Sequence, residues 1–185
     1  MDIQSYKKVL FFLLFFLITT SAFSAPSKSY KKIFKSHSKT KTFYQKDNMR
    51  ALVIFKSTHI TDELCAEQKK ELRRIYKLSI EESPVCPKDN KSTLFFVSFY
   101  ADASMLKDLM NKKSDWELTL ETGSGLYRPS QIEKMGKPTA INVHLYPTLD
   151  QWSNGYYVWF PVNSSSAKMT LSLRSPYAKT DLVWK

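Results

Sequence analysis

Apolar and polar residues alternate with a period of two along most of the second half of the chain. In the apolar run 94–100, Phe95, Val97 and Phe99 fall on one face. This period is typical of β-strands with one buried face. We predict about eight short strands separated by turn-rich segments, at 49–56, 94–100, 116–121, 127–132, 140–146, 156–162, 169–173 and 182–184. The pattern predicts a mainly β, antiparallel sandwich.

A single helix of any length is predicted, over about residues 61–78. Thr61 fits the N-cap position, and Asp62 and Glu63 provide negative charge in the first turn. Apolar residues then recur at helical spacing while lysines and arginines cover the other side. One helix leaves no material for a βαβ repeat, which agrees with an antiparallel sheet.

Residues 1–24 have the pattern of a secretory signal peptide. Lys7 and Lys8 precede the unbroken apolar run 9–18, and small residues follow up to a predicted cut after Ser24. Ten apolar residues are too few to span a bilayer, which needs roughly 20. The mature chain is therefore expected to be exported without a transmembrane span, and to be periplasmic, outer-membrane-associated or extracellular.

Positive charge is concentrated just after the predicted cut. Residues 25–56 carry nine basic side chains against Asp47 alone, whereas residues 57–185 carry 17 basic and 15 acidic side chains. Segment 25–46 is rich in Ser, Lys and Thr, so we predict a basic flexible arm there and a sandwich domain over 47–185. The near-neutral body argues against nucleic acid as a partner. The arm is either a solvated linker, which we favour, or a contact for an anionic lipid or glycan surface through Lys28, Lys31, Lys32, Lys35, Lys39 and Lys41.

The two cysteines, Cys65 and Cys86, predict a structural disulfide. Exported proteins fold in oxidising compartments, and neither a CxxC motif nor a context that stabilises a thiolate is present.

Nothing in the chain has the spacing of a catalytic or metal site. Each of the three histidines lacks a partner at ligand spacing, so no metal or cofactor is expected. Glu117 and Glu121 would lie roughly 13 Å apart along one strand, further than glycosidase carboxylates, and are interpreted as a solvated face. A pocket that gathered His144, Glu117 and Arg128 would favour a hydrolase.

Aromatic residues cluster at 156–160. Val158 and Phe160 are assigned to the core, and Tyr157 and Trp159 would lie on the opposite strand face. These two rings are the candidate exposed aromatic face for a sugar or lipid, although a strand covered on both sides would show the same pattern.

Several strand signatures occur in a recognisable order: Trp116-x-Leu118-x-Leu120, Leu145-Tyr146-Pro147 and Tyr157-Val158-Trp159-Phe160-Pro161. This order resembles a group of uncharacterised small exported proteins and lipoproteins of the Gram-negative envelope. The resemblance covers about residues 44–184 and implies an immunoglobulin-like sandwich after a helical segment. Many of these proteins carry a lipobox cysteine at the cleavage site; this chain has none, so lipid anchoring is not implied. No activity or site residue carries over.

Three functional hypotheses follow. The first is a non-enzymatic binding or structural module of the bacterial envelope, with an envelope protein or glycan as partner. The second is a peripheral protein that docks on anionic lipid or glycan through the basic arm. The third, and weakest, is a cell-wall hydrolase.

Overall fold

The computed structural model describes residues 25–45, 49–76, 84–87, 91–102, 108–110, 115–163 and 168–185. These residues form nine strands and three helices. The helices are α1 (Lys28–His37), α2 (Asp62–Tyr76) and α3 (Ala140–Leu145). The strands are β1 (Ser38–Tyr44), β2 (Ala51–Ile60), β3 (Thr93–Ala101), β4 (Glu117–Thr122), β5 (Gly125–Tyr127), β6 (Gln131–Lys134), β7 (Asn154–Phe160), β8 (Met169–Arg174) and β9 (Lys179–Trp184).

Two antiparallel sheets pack face to face as a β-sandwich. Sheet A has the strand order β1-β2-β3-β7-β6, and sheet B has the order β5-β4-β8-β9. The inner face of sheet A contributes Phe55, Phe95 and Phe99 to the core, and the inner face of sheet B contributes Leu120 and Leu171. The predicted mainly β fold is therefore confirmed. The immunoglobulin-like strand order suggested by the resemblance stays a prediction.

A layer of helices covers much of the outer face of sheet A. Leu94 and Phe96 of β3 point away from the sandwich core and join a second apolar cluster. The helices supply Tyr30, Leu64 and Leu145 to this cluster. The order of layers is thus helices, sheet A, sheet B. Sheet A is buried on both faces over this half, which explains why β3 is apolar at nearly every position.

The outer face of sheet B is polar instead. Glu117 and Glu121 are exposed there, as predicted. Ser172 and Arg174 of β8 both bind the carboxylate of Asp181, at 2.6 Å each. Sheet B therefore follows the usual antiparallel pattern of one buried face and one solvated face.

Residues 25–45 correct the prediction of a flexible arm. Ser27 caps α1, because its hydroxyl accepts a hydrogen bond from the backbone N–H of Tyr30. Tyr30 and Phe34 are buried one turn apart on a single side of this helix. Strand β1 then pairs along its length with β2. The composition of the segment does not show this amphipathic spacing. The spacing places Tyr30 and Phe34 on one side of the helix, and their burial is enough to order the segment.

Residues 140–146 correct a predicted strand. Residues 140–145 form α3, with Tyr146 as its C-cap, because Thr139 and Asn142 make a reciprocal capping box at its start. One further difference is smaller: the predicted strand at 127–132 divides into β5 and β6. The predicted helix over 61–78 is confirmed as α2 over the described residues Asp62–Tyr76. The predicted signal peptide, residues 1–24, lies outside the described residues.

Within the part of the chain that the structure describes, no helix has both the length and the apolar character needed to cross a membrane.

Candidate functional site

One face of α1 carries four lysines and no acidic side chain. Tyr30 and Phe34 anchor the opposite face in the second apolar cluster. Because helix residues three, four and seven apart share a face, the lysines form one row about 10 Å long. All four are exposed, and none takes part in the ion pairs formed among the described residues. We call this row the basic helix face; its members are Lys28, Lys31, Lys32 and Lys35.

Lys39 and Lys41 are exposed too, but they do not belong to the basic helix face. They lie on β1, the edge strand of sheet A, opposite Ser57 and Phe55 of β2. Paired residues share a sheet face, so these two lysines project on the sandwich side rather than the helix side. Lysine on an edge strand discourages pairing with another chain, which is a sufficient role for both.

A buried carboxylate fixes the start of α1. Glu71 of α2 is 3% exposed and accepts hydrogen bonds from the Ser27 backbone N–H at 2.8 Å and from Arg74 at 2.7 Å. His144 Nε2 lies 3.0 Å from the same carboxylate oxygen. Arg74 also donates to the Ala25 carbonyl at 3.0 Å. Burial alone would raise the pKa of Glu71, but the bonds from Arg74, Ser27 and His144 lower it to about 2.

The side chain of Tyr30 ties the middle of α1 to the helix layer. Its hydroxyl donates to the Leu145 backbone carbonyl at the end of α3. Gln68 of α2 donates to the same hydroxyl at 3.5 Å. The other two helices, α2 and α3, therefore hold α1 in one orientation, so the position of the basic helix face is fixed relative to the sandwich.

The candidate aromatic face is not exposed. Tyr157 is 7% exposed and lies 5.6 Å from Phe96, centroid to centroid, beneath the helix layer. Trp159 is half-buried and packs against the same cluster. Strand parity did place these rings opposite the core residues Val158 and Phe160. The helix layer, which pattern alone did not reveal on that side, removes them as a contact surface.

The groups that would have favoured a hydrolase lie in separate interactions. Glu117 forms an exposed ion pair with Arg128 at 2.8 Å, whereas His144 is bound to Glu71 beside α1. His59 is buried against Phe95, with 5.1 Å between ring centroids. Among the described ranges, no three His, Cys, Asp or Glu side chains are placed to hold a metal ion.

The predicted disulfide is present. Cys65 on α2 is bonded to Cys86, and their Cα atoms are 5.9 Å apart. The bond joins the helix layer to segment 84–87, whose Val85 packs against the same apolar cluster. A disulfide in a chain of this size indicates an oxidising compartment.

Sequence reasoning missed two residues: Glu71, which fixes the start of α1, and Trp152, which lies away from the basic helix face. Glu71 looked like one charge among many on a basic helix, and only its burial distinguishes it. Trp152 is 71% exposed, which its sequence neighbours do not indicate. The signal for α1 was available, since Tyr30, Ile33, Phe34 and His37 recur at helical spacing.

No protein-family model, curated protein or solved structure matches this chain.

Proposed function

We propose that this chain is an exported, non-enzymatic binding protein of the bacterial envelope that docks on a phosphate-bearing lipid surface through the basic helix face. The observation that carries the proposal is the row of four exposed lysines on α1, in a segment 25–45 that contains no acidic residue. The disulfide supports the exported location. This proposal combines two of the sequence hypotheses: the protein is a non-enzymatic binding module, and it docks on anionic lipid through the basic helix face.

The expected attraction is large enough to matter. A lysine close to an anionic membrane contributes about 1 kcal/mol, so four contribute about 4 kcal/mol, or roughly a thousandfold in affinity. Because α1 is already folded onto sheet A, docking does not have to order it, and less of this attraction is offset by lost entropy. The remaining charge is nearly balanced, with 17 basic and 15 acidic residues over 57–185, so the field is strongest on the α1 side.

Vesicle binding at two salt concentrations tests the proposal. The mature chain from Ala25 onward is mixed with vesicles of phosphatidylglycerol and phosphatidylethanolamine, or of phosphatidylcholine alone, and is sedimented. We expect binding to the first vesicles at about 0.05 M salt and release at about 0.5 M, because the screening length falls from about 14 Å to about 4 Å between these concentrations. Phosphatidylcholine vesicles should not retain the protein.

Two charge-matched variants separate a specific face from general basicity. The test variant carries Lys→Gln at Lys28, Lys31, Lys32 and Lys35. The control variant carries the same four-charge change at exposed lysines elsewhere, namely Lys69, Lys137, Lys179 and Lys185.

We expect the test variant to lose at least about a hundredfold in vesicle affinity and the control variant less than about fivefold. Thermal unfolding of both should match the parent, since every changed side chain is solvated. Equal losses in the two variants, or full binding by the test variant, would contradict the proposal.

A further inference from the structure

Beyond the helix layer, the outer face of sheet A is open to solvent and forms a groove. The groove measures about 370 Å³. Ile54 and Tyr100 are register partners on β2 and β3 and form part of its floor. Arg50, Ala51, Asp150 and Trp152 complete the lining. A small number of polar groups beside an apolar floor is the usual composition of a small-molecule site, within the usual range of volumes.

Trp152 projects into solvent at the edge of this groove. Its exposure of 71% contrasts with 8% for Trp116 and 7% for Trp184. An isolated exposed aromatic ring is ordinary. Here, however, the turn that carries the indole is held in place. The Asp150 carboxylate accepts from the Trp152 backbone N–H at 3.0 Å and from the Ser153 hydroxyl at 2.7 Å.

The charges around the groove are balanced in pairs. Lys56 binds Asp150 at 2.9 Å, and Arg50 binds Asp102 at 2.8 Å. Among the described residues that line this groove, no net charge is left to favour an ionic ligand, yet these groups can still exchange hydrogen bonds with hydroxyls. An apolar ring face next to fixed, neutralised hydrogen-bonding groups matches the chemistry of a sugar, which has C–H faces and a hydroxyl rim.

A second, larger groove of about 890 Å³ lies across the same turn. Asp150 lines both grooves, and Pro138, Val143 and Leu149 give the larger one an apolar wall. Its lining also includes two lysines: Lys134, which pairs with Asp108 at 2.8 Å, and the exposed Lys137. Two adjoining grooves that share Asp150, with Trp152 lining the smaller one, suit a chain of several sugar units better than a monosaccharide.

We infer that the two grooves bind an uncharged oligosaccharide, with Trp152 stacking on one pyranose ring. A β-1,4-linked chain with equatorial substituents presents the flattest C–H face to a planar indole, so this linkage is preferred. The site is distinct from the basic helix face and does not depend on the lipid-docking proposal.

The test uses the mature protein with chitotetraose and cellotetraose as probes and maltotetraose as the α-linked comparison. Trp152 is the most exposed of the four tryptophans, because Trp116 and Trp184 are buried and Trp159 is half-buried, so acrylamide quenching reports chiefly on Trp152. We expect a β-linked probe to protect the fluorescence saturably at low millimolar concentration or below, and maltotetraose to bind at least about fivefold more weakly.

Calorimetry on variants then assigns the site. Trp152→Ala should weaken binding at least about tenfold, and Trp152→Phe should retain part of it. Tyr177→Ala is the matched control, because Tyr177 is 52% exposed in the β8–β9 turn; it should bind like the parent. Trp152→Ala should also sediment normally with anionic vesicles, so failure here is separable from failure of lipid docking.

The inference is overturned if neither β-linked probe binds below about 10 mM. It is also overturned if Trp152→Ala binds as well as the parent, or if Tyr177→Ala loses as much affinity.

Discussion

His59 is a buried base whose protonation should destabilise the fold. It lies on the sandwich side of β2, paired with Phe95, and its Nε2 atom has no hydrogen-bond partner among the described residues. Burial, with the nearby His37 as a second cause, lowers its pKa to about 4. The unfolded chain has a histidine pKa of about 6.5, so between these values only the unfolded state binds the proton. Stability is therefore lost as the pH falls from about 6.5 to about 4, by up to about 3 kcal/mol.

His59→Leu isolates this effect, since it removes the titrating group and leaves no polar atom unpaired. Urea unfolding at about pH 7 and about pH 4.5 should show the parent losing at least about 2 kcal/mol more than the variant. At about pH 7 the variant should be as stable as the parent or more stable, because an unsatisfied buried polar atom has been removed. Parallel losses in the two proteins would contradict the assignment to His59.

At the scale of elements, Glu71 decides whether α1 stays docked. It is buried and joins α2 to segment 25–27 through Ser27 and Arg74. Glu71→Gln keeps the shape but removes the charge that these donors face, so we expect a loss of about 2 kcal/mol. Amide hydrogen exchange within 30–37 should accelerate more than exchange in β3, because α1 loses its anchor first.

The control for that variant is Glu67→Gln, one turn earlier on α2. Among the described residues, the ion-pair partner of Glu67 is the exposed Lys70, at 3.4 Å, so its loss should change stability by less than about 0.5 kcal/mol. The pH dependence adds a second check. The pKa of Glu71 is depressed from its usual 4.5 to about 2, so its contribution is complete above about pH 4.5 and is lost as the pH falls toward 2. If the free energy of unfolding fell equally with pH below about 4.5 in the parent and in the Glu71→Gln variant, this role would be contradicted.

The sequence predicted well those strands whose alternation of apolar and polar residues follows directly from one buried and one solvated face. Strands β4 and β8 alternate because one face is buried and the other solvated, and both were predicted within two residues of their observed ends. The prediction of a flexible arm for segment 25–45 was wrong because lysines dominate its composition, whereas its ordering depends on the two buried aromatic residues Tyr30 and Phe34. The prediction of a strand at 140–146 was wrong because Ile141 and Val143 alternate with polar neighbours as they would in a strand. The helix is instead favoured by its capping box, a local polar interaction that the apolar pattern does not show.

At the scale of the molecule, the helix layer makes the two faces of the sandwich unequal. Sheet B is solvated outside, whereas sheet A is covered by helices at one end and open beside Trp152 at the other. The sequence predicted the sandwich but not this third layer, because a strand buried on both faces and a strand with an exposed aromatic face share one pattern. The proposed lipid-docking and saccharide surfaces both depend on where that layer begins and ends.

The Cys65–Cys86 disulfide joins α2 to segment 84–87, and its removal should lower the stability of the protein. The bond spans 21 positions of sequence, so restricting the unfolded chain contributes about 3 kcal/mol. We expect the double variant Cys65→Ser and Cys86→Ser to lose about this much in urea unfolding, and the parent treated with a phosphine reductant to match it. Far-ultraviolet dichroism should keep its β signal, because the sandwich core lies on the other face of sheet A from α2. Two free thiols in the denatured, unreduced parent would refute the bond itself. An unchanged unfolding midpoint in the double variant would show instead that apolar packing alone holds α2 on the sheet.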